Sequence, residues 1–202
     1  RNSQITVSEE LFAKPNPTLL AQAVRVYLSN QRQGTSKTQT RSDVNRTTRK
    51  WYRQKGTGNA RHGAQDANLF VGGAVAHGPT GEENWKKSLS TVQKRQSLAA
   101  ALTAQAENVM INDELKELEG KTAKAHQLLK QILDSFDETE LTDQKILIVV
   151  NQKPEKMVRA LRNIPKINIL LATNLNALAV AAADKIILTN EALETLEEKI
   201  AG

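Results

Sequence analysis

The chain has 202 residues, 28 Lys and Arg against 22 Asp and Glu, a formal net charge of +6 and no cysteine. Without thiols there can be no disulfide framework, thiol nucleophile, zinc ribbon or iron–sulfur ligation, which fits a reducing, intracellular setting. The aliphatic runs at 146–150 and 177–183 fall far short of the ~20 residues that cross a bilayer, and residues 1–10 hold no apolar signal core, so a soluble protein without a membrane partner is expected.

In chain order, the first predicted element is a helix over 17–30, with Asn16 as N-cap and Pro17 in the first turn. Leu19, Leu20, Ala23, Val24 and Tyr27 form its apolar stripe. Residues 31–83 show neither helical nor strand periodicity. Val44 is the only aliphatic residue between positions 31 and 48, and seven of the ten glycines fall within positions 56–81. A structureless insertion of about 50 residues is abnormal in a compact domain and marks a functional or disordered segment. So little apolar surface cannot offset an ordering cost of ~1–2 kcal/mol per residue. The expectation is an arm that is mobile in the free protein and ordered on its partner.

A second helix is predicted over 85–107, with Leu89, Val92, Ala99, Thr103 and Ala106 facing inward and Lys86, Lys87, Lys94 and Arg95 outward. A short strand at 109–111 follows. The clearest helix spans 121–136, where Ala125, Leu128, Leu129, Ile132, Leu133 and Phe136 recur at helical spacing. Residues 145–150 form a β-branched run suited to a strand covered on both faces. Then come a helix at 154–162, a strand at 167–172, a helix at 175–183, a strand at 185–188 and a final helix capped by Asn190. Alternation with short connections gives an α/β fold: a parallel sheet flanked by helices, with the long irregular basic loop inserted between the two helices of the N-terminal half. The expected division is a globular body of residues 1–30 and 84–202 and an arm of residues 31–83.

A parallel α/β body invites a nucleotide-binding reading, but the fingerprints are missing. Gly56-Thr57-Gly58-Asn59-Ala60-Arg61 opens like G-x-G-x-x-G, yet it has Arg61 at the third glycine and follows no strand. No phosphate-cradling G-x-x-x-x-G-K-[ST] occurs. His126 lies beside an apolar stripe and reads as a surface histidine, and His62 and His77 have no ligand spacing. No catalytic residue, metal or cofactor is expected. Glu191, Glu194, Glu197 and Glu198 read as the solvated face of the last helix.

Charge carries the functional signal. Residues 32–61 hold six arginines and three lysines against Asp43 alone, a net +8, which leaves −2 for the rest of the chain. Such asymmetry points to a polyanion. Trp51 and Tyr52 sit between Arg49-Lys50 and Arg53, which suits base stacking beside phosphate neutralisation. The excess of arginine over lysine suits bidentate phosphate and guanine contacts. Gly56 and Gly58 permit positive φ or close backbone approach. RNA is favoured over DNA because no helix-turn-helix, basic zipper or zinc module is visible. Each limb of ~27 residues reaches at most ~90 Å. The candidate RNA-binding set is Arg32, Lys37, Arg41, Arg46, Arg49, Lys50, Trp51, Tyr52, Arg53, Gln54, Lys55, Gly56, Thr57, Gly58, Arg61 and His62, with Lys86 and Lys87 beyond the arm.

The strings Arg32-Gln33-Gly34-Thr35, Thr40-Arg41-Ser42-Asp43-Val44 and RKWYRQKGTGNAR over 49–61, with Gly72-Gly73 and Gly78-Pro79, resemble the bacterial L-four family of large-subunit ribosomal proteins. The likeness covers essentially the whole chain. It implies a structural, non-enzymatic constituent of the ribosome, cytoplasmic or organellar, that binds large-subunit ribosomal RNA beside neighbouring ribosomal proteins. It also implies that the arm tip at 53–61 lines the exit tunnel against the nascent peptide, and that the protein acts in subunit assembly and translation. The family's opening strand is expected before Arg1. Three departures stand out: Asn59 for an arginine, Trp51-Tyr52 for a proline–aromatic pair, and Thr80-Gly81-Glu82-Glu83 for a basic continuation. Two further readings stay open. One is an RNA- or nucleotide-processing enzyme with its site near Asn151 or Thr173-Asn174; the other is autogenous control through messenger RNA.

Overall fold

A computed structural model describes residues 16–134 and 144–201. The chain divides into two compact units, one of residues 1–28 and 88–202 and one of residues 29–87. Among the described residues, no helix is long and apolar enough to cross a membrane.

Among the described residues, the first unit is built on a parallel sheet of four strands: β1 (Val109–Ile111), β2 (Ile146–Val150), β3 (Ile167–Leu171) and β4 (Lys185–Leu188), in the order β1-β4-β2-β3. The expected α/β class with a parallel sheet is therefore what the chain adopts. Ile148 pairs with Ile169 on one side and Ile187 on the other, which places β2 inside the sheet. All five β2 residues are buried, as an unbroken aliphatic run requires.

Strand periodicity splits the core into two layers. Leu147, Val149, Ile186 and Leu188 face one cluster with helices α1 (Pro17–Gln31), α2 (Thr91–Ala104), α5 (Ala177–Ala181) and α6 (Asn190–Ala201). Ile146, Ile148, Val150 and Ile187 face the other, with α3 (Thr122–Asp134), α4 (Glu155–Leu161) and the 3-10 turn Glu114–Glu117. Ala125, Leu129, Ile132 and Leu133 of α3 are buried as its spacing predicts; Phe136 lies outside the described residues.

Several boundaries differ from expectation, each for a local reason. Helix α1 begins as predicted, with the Asn16 carboxamide accepting from the Leu19 N–H at 3.1 Å. Ala23 is buried and Leu20 and Tyr27 pack half-buried against the same core, as the stripe predicts, and Val26, outside that stripe, is buried with them. Helix α2 starts at Thr91, not at Trp85. Ser90 and Gln93 form a capping box there: the Ser90 hydroxyl accepts from the Gln93 N–H, and the Gln93 side chain accepts from the Ser90 N–H. Residues 85–90 are consequently outside the helix, Lys86 and Lys87 among them. The inner face of α2 is Leu98 to Leu102 together with Ser97, while Val92 is 59% exposed and Ala106 has left the helix. Five consecutive alanine and leucine positions can be buried all round because α2 packs against both α5 and α6. Asn190 is the first residue of α6, but its side chain bonds the Asp113 carboxylate rather than capping the helix.

The turn at Thr173-Asn174, one of the two places where a catalytic centre would lie in such a sheet, is occupied by a side chain that sequence inspection passes over. The Lys199 ammonium donates to the carbonyls of Ala172, Thr173 and Leu175 at 3.3, 2.7 and 2.9 Å. Burial pulls its pKa down. Three backbone acceptors around one amine make this a tie between α6 and the end of β3.

Candidate nucleic-acid interface

The second unit, residues 29–87, is two limbs running antiparallel and held by sparse backbone bonds. Near its base the Asn30 carboxamide exchanges hydrogen bonds with the Lys87 N–H and carbonyl at 2.8 and 2.9 Å. Further out come Thr38 N–H to Pro79 at 3.0 Å, Val75 N–H to Gln39 at 3.1 Å, Gln65 N–H to Thr47 at 3.3 Å and Trp51 N–H to Gly63 at 2.9 Å. The Lys37–Thr80 pairing is an isolated antiparallel bridge. Ladder bonds this far apart make no sheet, so the absence of strand periodicity in the sequence is explained.

The interior of this unit is small. Among its residues only Ala64, Ala74 and Asp66 are buried. Asp66 is the anchor: Arg41 donates from Nε at 2.7 Å and from Nη2 at 3.3 Å, a bidentate pair joining the two limbs. The Arg41 hydrogen bond is the main cause holding the Asp66 carboxyl below its usual range, opposed by desolvation. Arg41 is therefore committed within the chain, although the sequence set counted it as a free RNA contact.

A carboxyl whose folded pKa is depressed contributes stability above its unfolded value of about 3.9 and loses it as pH falls through the folded value. The protection factor of the Ala74 amide, its exchange rate relative to an unstructured peptide at the same pH, reports this step because its N–H bonds the Asp66 carbonyl at 3.1 Å; it should stay constant from neutrality to about pH 5 and fall below about pH 4. Asp66→Asn should remove that acid step. An unchanged step in the variant would show that some other group controls it.

On the side turn of the return limb, the Phe70 N–H bonds Ala67 at 3.2 Å and the Gly73 N–H bonds Phe70 at 2.9 Å. A Cβ at Gly73 would run into the Ala67 carbonyl oxygen, so only glycine fits there. This turn brings Phe70 back against the outgoing limb. Phe70 meets Trp51 edge-on at 4.9 Å between ring centroids and His62 at 5.0 Å, and Tyr52 meets His62 edge-on at 6.0 Å. The Tyr52 hydroxyl donates to the Ala60 carbonyl. Trp51 nevertheless stays 51% exposed.

The polar side chains around this cluster are aligned by the tip backbone. Lys50 Nζ donates to Gln54 Oε1 at 2.7 Å and to the His62 carbonyl at 2.9 Å. Arg53 Nη2 donates to the Gly56 carbonyl at 2.8 Å, closing a turn in which Gly56 and Gly58 take φ of +80° and +69°. Positive φ is therefore the use to which these two glycines are put. Thr47, Arg49, Lys50, Trp51, Tyr52, Arg53 and Gln65 line a groove of about 480 Å³. Arg49, Lys50, Arg53, Lys55 and Arg61 are all exposed, and Thr57 is half-buried.

The other predicted residues lie elsewhere in the unit. The Arg32 guanidinium stacks on Trp85, 3.9 Å from the ring centre. Arg46 lies against Gly72. Lys86 and Lys87 are exposed next to the base of the limbs. Thr80-Gly81-Glu82-Glu83, a departure from the basic pattern, forms a turn closed by Glu83, whose carboxylate accepts from the Thr80 and Gly81 N–H groups at 2.7 and 3.1 Å. Those amides, Thr80 first, lower its pKa. Sequence reasoning missed Asp66, Gln65, Phe70 and Trp85. Phe70 and Trp85 had a signal, as two of only seven aromatics in the chain.

A model of the Ribosomal protein L4/L1 family matches residues 5–199. The chain is 36% identical over 199 residues to large ribosomal subunit protein uL4 of Symbiobacterium thermophilum, covering 96% of this chain and 91% of that protein. It is 35% identical over 199 residues to the protein of the same name from a Methylobacterium species, covering 96% and 92%. Against that of Aquifex aeolicus it is 33% identical over 201 residues, covering 97% and 96%. The match runs through the sheet, the helices and the arm alike, and on that footing the chain belongs to the Ribosomal protein L4/L1 family.

Proposed function

We propose that this protein is a structural, non-enzymatic constituent of the large ribosomal subunit that holds large-subunit ribosomal RNA through the basic arm. The observation that carries the reading is the charge: a net +8 within residues 32–61, on side chains that are mostly exposed. Exposed guanidinium and ammonium groups on a pre-shaped backbone neutralise phosphates and release counterions, the main source of affinity for nucleic acid. Relatives across nearly the whole chain carry the name large ribosomal subunit protein uL4, which supports the ribosomal assignment. RNA fixes the long-range path of the two limbs, because an interior of Ala64, Ala74 and Asp66 buries too little to do so alone, while the ring cluster of Trp51, His62 and Phe70 and the Arg53–Gly56 turn shape the end of the arm locally.

In this reading the tip at 53–61 lines the nascent-peptide exit tunnel, the first unit anchors the arm beside neighbouring ribosomal proteins, and the protein acts in subunit assembly and translation in the cytoplasm. The deciding experiment is co-sedimentation of the full chain with large ribosomal subunits depleted of their own copy, at moderate salt. Stoichiometric incorporation is expected, and competition only by large-subunit RNA. Failure to enter the particle, or equal competition by any polyanion, would overturn the assignment.

A further inference from the structure

We infer that the groove beside Trp51 is a pocket for one unpaired nucleotide, whose base stacks on the exposed indole while its phosphate meets Arg49. This rests on the RNA-binding reading above and adds to it a specific site and ligand class.

Four observations converge. First, the groove of about 480 Å³ is of the size that takes a small organic ligand, and a base with its ribose and phosphate is such a ligand. Second, the indole is held among Phe70, Tyr52 and His62, the latter two at 6.1 Å between ring centroids, without being covered. Phe70 meets Trp51 edge-on at 4.9 Å, and the backbone N–H of Trp51 is tied to the Gly63 carbonyl at 2.9 Å. The ring is thus positioned in advance yet still 51% exposed, and a large apolar ring left open on a cationic surface is a ready stacking platform.

Third, the polar lining divides by task. Lys50 and Arg53 already donate to Gln54, the His62 carbonyl and the Gly56 carbonyl, so they shape the walls while keeping their charge. Arg49 lines the same groove, exposed and with no ion pair among the described residues, and so has its whole fork for a phosphate. Fourth, Gln65 and Thr47 line the groove as well, joined only through their backbones by the Gln65 N–H bond to the Thr47 carbonyl. An amide and a hydroxyl beside a stacking ring are the groups that bind the edge of an unpaired base. A base within a duplex has both faces covered by its neighbours, so the ligand must be an unstacked one.

The test uses the full chain and two labelled ten-residue oligomers of equal charge, one of adenosine and one of abasic ribose phosphate. Wild type should prefer the adenosine oligomer by about ten- to a hundredfold, as expected for stacking of a single base. Trp51→Ala should bring that preference close to one with little change in affinity for the abasic oligomer. Trp51→Phe should restore most of the preference, which excludes simple collapse of the aromatic cluster. Arg49→Ala should weaken both oligomers alike. Equal binding of the two oligomers by wild type, or a preference that survives Trp51→Ala, would overturn the pocket while leaving phosphate binding by the arm intact. No binding of either oligomer at about 50 mM salt would sink both readings together.

Discussion

Alanine at Arg49, Lys50, Arg53 and Lys55 together is expected to cost on the order of a thousandfold in affinity for large-subunit ribosomal RNA near 0.1 M salt. Each phosphate contact adds about 0.7–0.9 to the slope of log affinity against log salt, so four lost contacts flatten the slope by about three. Those four side chains are exposed, and neither core cluster of the first unit contains a residue from 29–87. Thermal unfolding of the first unit should therefore be unaltered. The choice of four matters. Arg41 is a poorer target because its guanidinium serves Asp66, and removing it leaves a buried carboxylate unpaired. Arg41→Ala should loosen the arm with little change in slope, whereas Lys55→Ala should lower the slope by about one without loosening anything. Filter-binding titrations from about 50 to 200 mM salt read both quantities. A slope unchanged in the quadruple variant would mean that these cations do not touch phosphates.

The contrast between Arg41 and Arg49 also shows what could and could not be seen before the fold was known. Charge segregation needs no coordinates: nine cations and one acid in thirty residues are visible as soon as they are counted. Which of the nine are committed internally depends on the register of two limbs whose backbone bonds are many residues apart, and no local pattern encodes that. Asp66 and Phe70 were missed for this reason, since each acts only across the limbs. In the first unit the buried strand β2 was legible because an unbroken run from Ile146 to Val150 has few alternatives to double-sided burial. The sheet order was not legible, as strand alternation fixes parallel crossovers but not which strands become neighbours. The start of α2 was within reach. Ser90 and Gln93 have the spacing of a capping box, but Trp85, Lys86 and Lys87 continue the helical composition upstream and hid it.

Placing β2 inside the sheet and Val92 on the outside of α2 yields paired expectations that test the packing directly. Ile148 is fully buried, pairs with Ile169 and Ile187, and faces the layer formed with α3 and α4. Ile148→Ala removes three carbons from a site whose neighbours are strands and helices on every side, with little freedom to close the gap. A loss of about 3–5 kcal/mol is expected, from lost transfer energy and the remaining cavity. That is a large part of the ~5–15 kcal/mol that stabilises a typical domain. Val92 is 59% exposed in the first turn of α2. Val92→Ala should leave stability within about 0.5 kcal/mol of wild type, or raise it slightly, since alanine is the better helix former. Urea midpoints of the two variants measure the difference. If Val92 sat on the inner face, as an unbroken helix from residue 85 would place it, its truncation would cost a kilocalorie or more, and the capped start at Ser90 would be wrong. The two variants also separate the units: Ile148→Ala, assayed where it is still folded, should keep wild-type RNA affinity, because no groove residue lies in its layer of the core.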